Sequence, residues 1–302
     1  MNTIVCPYCQ GKTFQIFQVK DVNRKISSEL FNYFECESCG LIFLHNIPSN
    51  LGAYYPDNYY YIPASKAELA KCAEPERYKI DIVKRFKTHG SLIEIGPSSG
   101  CFSYLSKQDG FDVTAIEMSH RCCVFLRDVV GVTAVESTNE LVSLNEAAEA
   151  DVIALWHVIE HLASPWELIQ TAARKLKPDG VLVIAAPNPQ SLQLRILNGC
   201  WVHIDAPRHV TLPSAEFIQR IAAASGLKTV LLTTRDKGSL GWNEFGWRFF
   251  LANQFKTNTI KNRYVRMSVA ILGRIISIIM SPFESREGLG TAYTIVLQKS
   301  SA

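Results

Sequence analysis

The sequence lacks a strong excess of charge of either sign. Its 31 lysines and arginines stand against 28 aspartates and glutamates, which leaves a formal net charge of +3. This balance gives no reason to expect binding to nucleic acid or to an anionic membrane. Internal repeats and low-complexity tracts are also absent, and 47% of the 302 residues are hydrophobic. The composition therefore predicts a folded globular protein and excludes a largely disordered one.

We also expect no secretory signal, since the first cysteine pair already begins at position 6. The cysteines number nine, and an odd count fits reduced thiols better than a set of disulfides. We therefore expect a cytoplasmic protein whose cysteines serve metal binding or packing.

Two Cys-x-x-Cys pairs occur near the start of the chain, separated by 26 positions: Cys6 and Cys9, then Cys36 and Cys39. Each pair can place two thiolates on one ion, and four thiolates complete the tetrahedral shell of a structural zinc. With short strands expected at residues 13–19 and 31–36, residues 1–50 are predicted to form a zinc ribbon. The alternatives are a redox dithiol or two unrelated pairs of packed cysteines.

An apolar stretch that ends on small residues organises the rest of the chain. Residues 92–95 have the pattern of a buried parallel strand, and residues 96–100 that of a tight loop that lets a ligand approach the backbone. Glu117 follows a second expected strand, residues 111–116, and lies 21 positions after Gly96. A carboxylate there can accept hydrogen bonds from a ribose, so we predict the nucleoside end of a cofactor site.

Strand and helix patterns alternate from here onward. Further strands are expected at residues 132–136, 151–155, 181–185, 228–234 and 291–298, with helices at about 74–88, 121–130, 165–177 and 214–225. This alternation predicts a doubly wound α/β sheet, with its ligand crevice at the carboxyl ends of the strands. We assign it to a domain of residues 74–302.

Residues 51–73 are predicted to be an aromatic linker, because five tyrosines fall within residues 54–61. Tyrosine offers a stacking face and a hydroxyl, so this segment can close over a cofactor or a substrate, and Tyr59 is our candidate for substrate contact. The linker can equally serve only to pack the ribbon against the main domain.

An aromatic and apolar insertion is predicted at about residues 236–290. Its apolar run, residues 269–280, is short for a membrane span and is interrupted by Arg274. We expect a buried helix. The alternative is peripheral membrane or partner contact through residues 264–283, with Arg266 and Arg274 as flanking cations.

Several spaced motifs together resemble class I S-adenosylmethionine-dependent methyltransferases, over roughly residues 78–298. The motifs that carry the resemblance are Ile93-Glu94-Ile95-Gly96-x-x-x-Gly100, the acidic ribose position at Glu117, His157-Val-Ile-Glu-His161-Leu, Leu176-Lys-Pro-Asp-Gly180 and Pro187-Asn188. One departure is Ser98, which stands where the family usually has its middle glycine.

The resemblance implies a Rossmann-like sheet of seven strands with the last antiparallel, and S-adenosylmethionine as the methyl donor. It also implies that Glu94 helps to hold the methionyl ammonium, directly or through water, and that Ser137 lies near the adenine. The cofactor-binding residues that we predict are Glu94, Gly96, Ser98, Gly100, Glu117, Ser137, Trp156 and His157.

A four-cysteine module before this domain is similar to sugar C-methyltransferases and to uncharacterised enzymes of polysaccharide gene clusters. We therefore expect a sugar or glycan acceptor. Where those sugar enzymes carry a Tyr-His-Glu-His stretch, only His209 of residues 201–209 matches, which leaves O-methylation open beside C-methylation. Asp205 and Arg208 are the expected substrate contacts, although Arg208 can pair either with a substrate phosphate or with Asp205.

A hydroxyl acceptor is too weakly acidic to ionise alone, so a neutral imidazole is the natural base. His209 is our first candidate because its loop follows the fifth strand, and His161 and His157 are the alternatives. Each of these histidines can instead be a structural hydrogen-bonding residue. Glu160 is expected to cap or pair locally.

Three other functions stay open. An RNA methyltransferase is one, since some ribosomal enzymes begin with a zinc module, but the charges of the ribbon nearly cancel. A nicotinamide-dependent oxidoreductase is disfavoured because no Tyr-x-x-x-Lys follows the Gly96 loop. A non-catalytic binding module on the same fold is the third.

Overall fold

The computed structural model describes residues 4–56, 59–257 and 262–300. Asp57 and Asn58 of the predicted linker lie outside the described residues, as do residues 258–261 of the predicted insertion. The same holds for residues 1–3 of the predicted ribbon and residues 301–302 of the predicted main domain.

Eleven strands occur within the described residues: β1 (Thr13–Val19), β2 (Phe31–Cys36), β3 (Ile42–His45), β4 (Gly90–Ile95), β5 (Phe111–Glu117), β6 (Thr133–Glu136), β7 (Ala150–Trp156), β8 (Leu176–Pro187), β9 (Thr211–Leu212), β10 (Leu227–Thr233) and β11 (Ala292–Lys299). The α-helices in the same part of the chain are α1 (Lys66–Ala73), α2 (Arg77–Lys84), α3 (Cys101–Gln108), α4 (His120–Phe125), α5 (Glu140–Glu146), α6 (Pro165–Lys175), α7 (Leu192–Leu197), α8 (Ala215–Ala224), α9 (Lys237–Gln254) and α10 (Arg263–Glu284).

The larger sheet has seven strands in the order β10-β11-β8-β7-β4-β5-β6. Strands β4 to β8 pair in parallel, whereas β11 runs antiparallel to both β8 and β10. The central strands are buried on both faces, as their nearly continuous apolar sequence predicts. The predicted Rossmann-like fold with an antiparallel last strand is therefore confirmed. Because β4 lies between β5 and β7, the loops that follow these three strands meet at one edge.

One predicted helix is shorter in the structure, and a helix that was not predicted, α1, precedes it within the predicted linker. The sequence predicts a helix at residues 74–88, but α1 ends at Ala73, a single 3-10 turn follows at Glu74–Glu76, and α2 begins at Arg77. Pro75 lies in that turn; it has no N–H to donate and favours the first turn of a new helical segment.

A second, four-stranded sheet joins the N-terminal module to the main domain. Its order is β1-β2-β3-β9, so that Ile42 of the module pairs with Leu212 of the main domain. Tyr8 also packs its ring against Trp166 and Phe217, with centroids 5.3 and 5.1 Å away. The sequence did not predict β3 or β9. The two predicted parts of the chain therefore share a hydrophobic core.

Helix α10 is exposed, so the prediction of a buried helix in the insertion is wrong. It packs on α9 along one side, where Gly273 lies close enough that an added Cβ would stand 2.9 Å from the Arg248 backbone. Its opposite side exposes a row of large apolar residues: Met267, Ile271, Ile275, Ile278 and Ile279. By length and composition α10 can cross a membrane, and only 17% of its most apolar window is buried. One such helix is weak support for a membrane span.

Candidate active site

A cavity of about 710 Å³ lies at the carboxyl edge of β4, β5 and β7. Six of the eight predicted cofactor residues line it: Gly96, Ser98, Glu117, Ser137, Trp156 and His157. Tyrosines of the linker, including Tyr59, form part of its opposite wall. The topology brings these residues together because the strands that precede them are neighbours in the sheet.

The loop after β4 bends tightly beneath this cavity. Gly96 has φ +66°, and a Cβ at that position would stand 2.6 Å from a methyl carbon of Val158. Ser98, at the departure from the family pattern, also has a positive φ, +53°. Such a conformation costs a non-glycine residue on the order of 1 kcal/mol. The serine therefore keeps the backbone shape that glycine would adopt more easily.

Glu117 connects two of the loops that form the cavity. One carboxylate oxygen accepts a hydrogen bond from the N–H of Ser98 at 3.0 Å, and the other accepts from the N–H of Ser119 at 2.8 Å. Burial raises the pKa of Glu117, although these N–H groups oppose the shift. A carboxylate has about four acceptor sites, so capacity remains for two ribose hydroxyls. The residue fits its predicted role.

Glu94 does not line the cavity, so a direct contact with the cofactor is not supported. Its side chain is buried beneath the site, where it accepts a hydrogen bond from the hydroxyl of Ser103 in α3. Gly100 also lies behind the cavity wall, where an added Cβ would stand 2.5 Å from a methyl carbon of Leu126. Among the described residues, Glu76 is a carboxylate that does line the cavity, and it pairs with Lys79 at 2.7 Å. The sequence analysis did not identify it.

The protonation of Glu94 provides a test of its burial. Burial raises the pKa of this carboxyl from 4.5 to about 7. The folded state then binds the proton more tightly than the unfolded state, so stability is highest at low pH and is lost as pH rises from 4.5 to about 7. In the wild type, the free energy of unfolding should fall by about 3 kcal/mol across this pH range because of Glu94, and Glu94→Gln should abolish that fall. Urea unfolding without cofactor measures it. Glu149→Gln, at an exposed loop position, is the control. Parallel curves for wild type and Glu94→Gln would contradict the assignment.

A second cavity, of about 330 Å³, adjoins the first. Arg24, Tyr59, His157 and His161 line both cavities. Asp205 and His209 line only the second, together with Glu160 and with residues that the sequence analysis did not assign: Asn23, His203, Trp242, Phe245 and Phe249. The structure thus brings the three candidate bases into one pocket, beside the predicted cofactor cavity.

The tautomers of two candidate bases follow from backbone contacts. Nδ1 of His209 lies 2.7 Å from the carbonyl oxygen of His203, and Nδ1 of His161 lies 2.9 Å from that of Arg208. A carbonyl can only accept, whereas the Tyr55 hydroxyl, which lies 3.0 Å from the same Nδ1 of His161, can accept as well as donate. In the neutral rings both Nδ1 atoms therefore carry the proton and both Nε2 atoms keep a lone pair. Burial lowers the pKa of His161 to about 4, which keeps that ring neutral.

His157 was predicted both as a cofactor contact and as an alternative base. Its contacts make it a poor base. Its Nε2 accepts a hydrogen bond from the indole N–H of Trp242 at 3.0 Å, so its lone pair is occupied. The proton must then lie on Nδ1, which stands 3.5 Å from a carboxylate oxygen of Glu160. The ring thus lies between Trp242 and Glu160.

Arg208 is 0% exposed, so the prediction that it contacts a substrate phosphate is wrong. Its guanidinium lies 2.7 Å from Asp21 of the N-terminal module and 2.6 Å from Asp205. The structure instead contains the salt bridge to Asp205 that was the alternative interpretation. Asp205 still lines the second cavity, but both of its carboxylate oxygens already accept from Arg208.

Arg24 is the cation that does face the two cavities. Its guanidinium lies over the ring of Tyr59, 4.8 Å from the centroid, and no ion pair within the described residues includes it. No local pattern in the sequence indicates this role, because the charges of the N-terminal module nearly cancel and the cavity forms only when that module packs on the main domain.

The four predicted metal ligands lie together in a candidate metal centre. One sulfur atom from each of Cys6, Cys9, Cys36 and Cys39 lies within 4.8 Å of the others, with contacts of 3.6 and 3.4 Å between members of different pairs. Four thiolates around a zinc ion at about 2.3 Å would stand about 3.8 Å apart. The donor set and spacing therefore fit one tetrahedral ion.

Comparison with known families decides the class. A family model described as a methyltransferase domain matches residues 68–232, more than half of the chain. The chain belongs to this methyltransferase family. The predicted assignment to the S-adenosylmethionine-dependent methyltransferases is thereby confirmed at the level of the family.

Known proteins match parts of this chain. A ubiquinone biosynthesis O-methyltransferase from Caulobacter vibrioides is 31% identical over 103 residues, which are 32% of this chain and 41% of the relative. The matched segment thus spans less than half of that protein's length.

Two solved structures resemble this chain in fold. An S-adenosylmethionine-dependent methyltransferase from Archaeoglobus fulgidus superposes with a TM-score of 0.50 at 20% identity, covering 75% of this chain and 93% of that one. A cyclopropane synthase from Mycobacterium tuberculosis superposes with a TM-score of 0.50 at 13% identity, covering 74% and 83%. At these identities the likeness concerns the fold alone.

Proposed function

We propose that this methyltransferase moves a methyl group from S-adenosylmethionine to a hydroxyl of a small sugar or glycan intermediate that carries an anionic group. The observation that carries the proposal is the pair of adjoining cavities with four lining residues in common. Methyl transfer is an in-line displacement, so the acceptor must lie directly beside the donor. Two adjoining cavities meet this requirement.

The residues of the larger cavity fit the donor. Gly96 and Ser98 leave the backbone open to a ligand, and Glu117 offers free acceptor sites for a ribose. When bound, S-adenosylmethionine supplies an electrophilic methyl group, and the protein must align the acceptor and remove its proton.

His209 is the base in this proposal. Its Nε2 lone pair faces the smaller cavity and lies 3.9 Å from Glu160 and 3.9 Å from Asp205. Burial alone would raise the pKa of Glu160, but the facing rings of His157 and His209 outweigh burial and hold it below its ordinary value. The anionic carboxylate then stabilises the imidazolium that forms when Nε2 takes the acceptor proton.

Arg24 supports an anionic acceptor. A guanidinium at the junction of the two cavities, without a carboxylate partner among the described residues, is suited to bind a phosphate group by two parallel hydrogen bonds. A nucleotide-linked or lipid-linked sugar would present such a group beside the hydroxyl to be methylated.

We expect Arg24→Gln to raise KM for a phosphorylated acceptor at least tenfold and to leave kcat within about threefold, because a charge-assisted hydrogen bond contributes about 1.5–3 kcal/mol. Arg263→Gln is the matched control, since that guanidinium lies over an exposed tyrosine ring at 5.3 Å. Initial rates with a nucleotide sugar and with its unphosphorylated counterpart measure the effect. An equal rise in KM for both acceptors would remove the argument for an anionic group.

The enzymatic proposal is tested with a donor labelled in its methyl group. We expect label in one of a panel of nucleotide sugars, and calorimetry should detect binding of S-adenosylhomocysteine but not of NAD. Transfer of label to RNA only, with salt-sensitive RNA binding, would favour the RNA methyltransferase instead. No transfer to any acceptor and no binding of S-adenosylhomocysteine would overturn the proposal.

We also propose that the four cysteines hold a structural zinc, because a complete thiolate shell leaves no position for a substrate. Purified protein should contain about one zinc at this centre per chain, measured by mass spectrometry of the metal. Cys9→Ser should lose that zinc and lower the unfolding temperature, because metal binding contributes to folding. Cys200→Ser, at another exposed cysteine, should change neither. Retention of the metal by Cys9→Ser would contradict the assignment.

A further inference from the structure

A second cluster of metal-ligating side chains lies in the smaller cavity. It consists of Glu160, His161 and His209, and one ligand atom from each lies within 4.8 Å of the other two. These residues come from the loop after β7 and from the loop before β9, which the fold brings to the same place.

The Glu160 carboxylate is buried without a hydrogen-bond partner among the described residues. It is 1% exposed, and neither of its oxygens makes a hydrogen bond within the described structure. The nearest donor is Nδ1 of His157 at 3.5 Å, which is beyond ordinary hydrogen-bond length. An ionised carboxylate buried in this way costs several kcal/mol unless a cation or several donors compensate it.

The two histidines are arranged as metal ligands usually are. Each donates its Nδ1 proton to a backbone carbonyl, of His203 for His209 and of Arg208 for His161. Such a contact fixes the ring and leaves Nε2 as the ligand atom; metal-binding histidines commonly donate their other ring N–H to a carbonyl or carboxylate in this way.

We propose that Glu160, His161 and His209 bind one divalent transition-metal ion. Two imidazoles and one carboxylate are the ligand set of catalytic zinc sites and of non-haem iron sites, with further positions open to a substrate. Magnesium and calcium prefer oxygen ligands throughout, so they are not the expected ions. Ligand bonds of about 2.0–2.2 Å require the three side chains to draw in by less than about 1 Å each.

The consequence for catalysis rests on the proposed function. The Nε2 atom of His209 has one lone pair, so it cannot bind an ion and take a proton at the same time. With the metal bound, His209 is a ligand and cannot take the acceptor proton, so the base proposed above acts in the metal-free site and metal binding would slow methyl transfer.

The test compares metal content and visible spectra of the whole protein and its variants. Wild-type protein equilibrated with zinc should bind two equivalents, one at the cysteines and one at the new site. Cobalt added to protein that holds one zinc at the cysteines should give visible bands without thiolate charge transfer. Glu160→Gln should bind only one equivalent. Glu136→Gln is the matched control, because its carboxylate pairs with a single exposed histidine at 2.8 Å, and it should bind two.

One equivalent in wild type, or two in Glu160→Gln, would overturn the inference. If Glu160→Gln does not fold, the wild-type protein still tests the site. The electron paramagnetic resonance spectrum of copper bound there should show nitrogen splitting from two imidazoles. Absence of that splitting would refute the site. Methyl transfer is measured separately. Metal binding without any methyl transfer would refute the proposed function but support this metal site. Methyl transfer without a second bound metal would refute this metal site but support the proposed function.

Discussion

His209→Ala should lower kcat of methyl transfer by about 10²- to 10⁴-fold, the range that a positioned general base contributes. The reason is geometric: Nε2 of His209 keeps a free lone pair in the acceptor cavity, whereas that of His157 is occupied by Trp242. The side chain does not line the larger cavity, so the dissociation constant for S-adenosylhomocysteine should stay within about twofold of wild type. Single-turnover rates and calorimetry provide the two measurements.

His120→Ala is the control for this experiment, because that ring is exposed and contacts Glu136 outside both cavities. It should leave both quantities unchanged. If His209→Ala instead weakens S-adenosylhomocysteine as much as it slows turnover, the histidine has a structural role. An undiminished kcat would exclude it from the chemistry altogether.

Glu117→Ala should weaken S-adenosylhomocysteine by about 10²-fold or more. Hydrogen bonds to a charged group contribute about 1.5–3 kcal/mol each, and the substitution removes both ribose acceptors at once. It also leaves the N–H groups of Ser98 and Ser119 without their acceptor, which loosens the loop beneath the ligand. Calorimetric titration measures the affinity, and thermal unfolding reports the loss of stability.

Glu136→Ala is the matched control, since Glu136 stands directly beside Glu117 in the register of the neighbouring strand but is exposed. It should bind S-adenosylhomocysteine as wild type does. Glu117→Gln keeps one acceptor oxygen and should fall between the two. An unchanged dissociation constant in Glu117→Ala would refute the ribose assignment, whatever happens to stability.

Much of the cofactor cavity could be predicted because its signals are local. A parallel strand buried on both faces leaves a continuous apolar run, and the loop after it needs small residues or a positive φ, as at Gly96 and Ser98. Glu117 could be identified by its distance along the chain from that loop. These features require only neighbouring strands in one sheet, which the alternation of strand and helix already implies.

The acceptor cavity depends on contacts between distant segments, and these leave no pattern in the sequence. Arg208 was an equally good candidate for a substrate phosphate until its burial beside Asp21, 187 positions away, was known. Arg24 reaches the cavity only through the packing of the N-terminal module. Tautomers such as that of His209 depend on which carbonyl lies beside each ring, and no spacing rule predicts this.

The prediction of a buried helix in the insertion was wrong for a different reason. An apolar run such as residues 269–280 has the same composition whether it enters a core or remains on the surface. Only the partner helix α9 shows which side of α10 is covered, and it covers one side alone.

The buried pair of Asp21 and Arg208 means that the family domain cannot be cut free at residue 68 without a penalty. Such a truncation would remove one of the two carboxylates that pair with Arg208 and leave only Asp205. It would also remove one wall of the acceptor cavity. Stability and acceptor preference thus both depend on the N-terminal module. A chimera that exchanges the first fifty residues between relatives should change both properties.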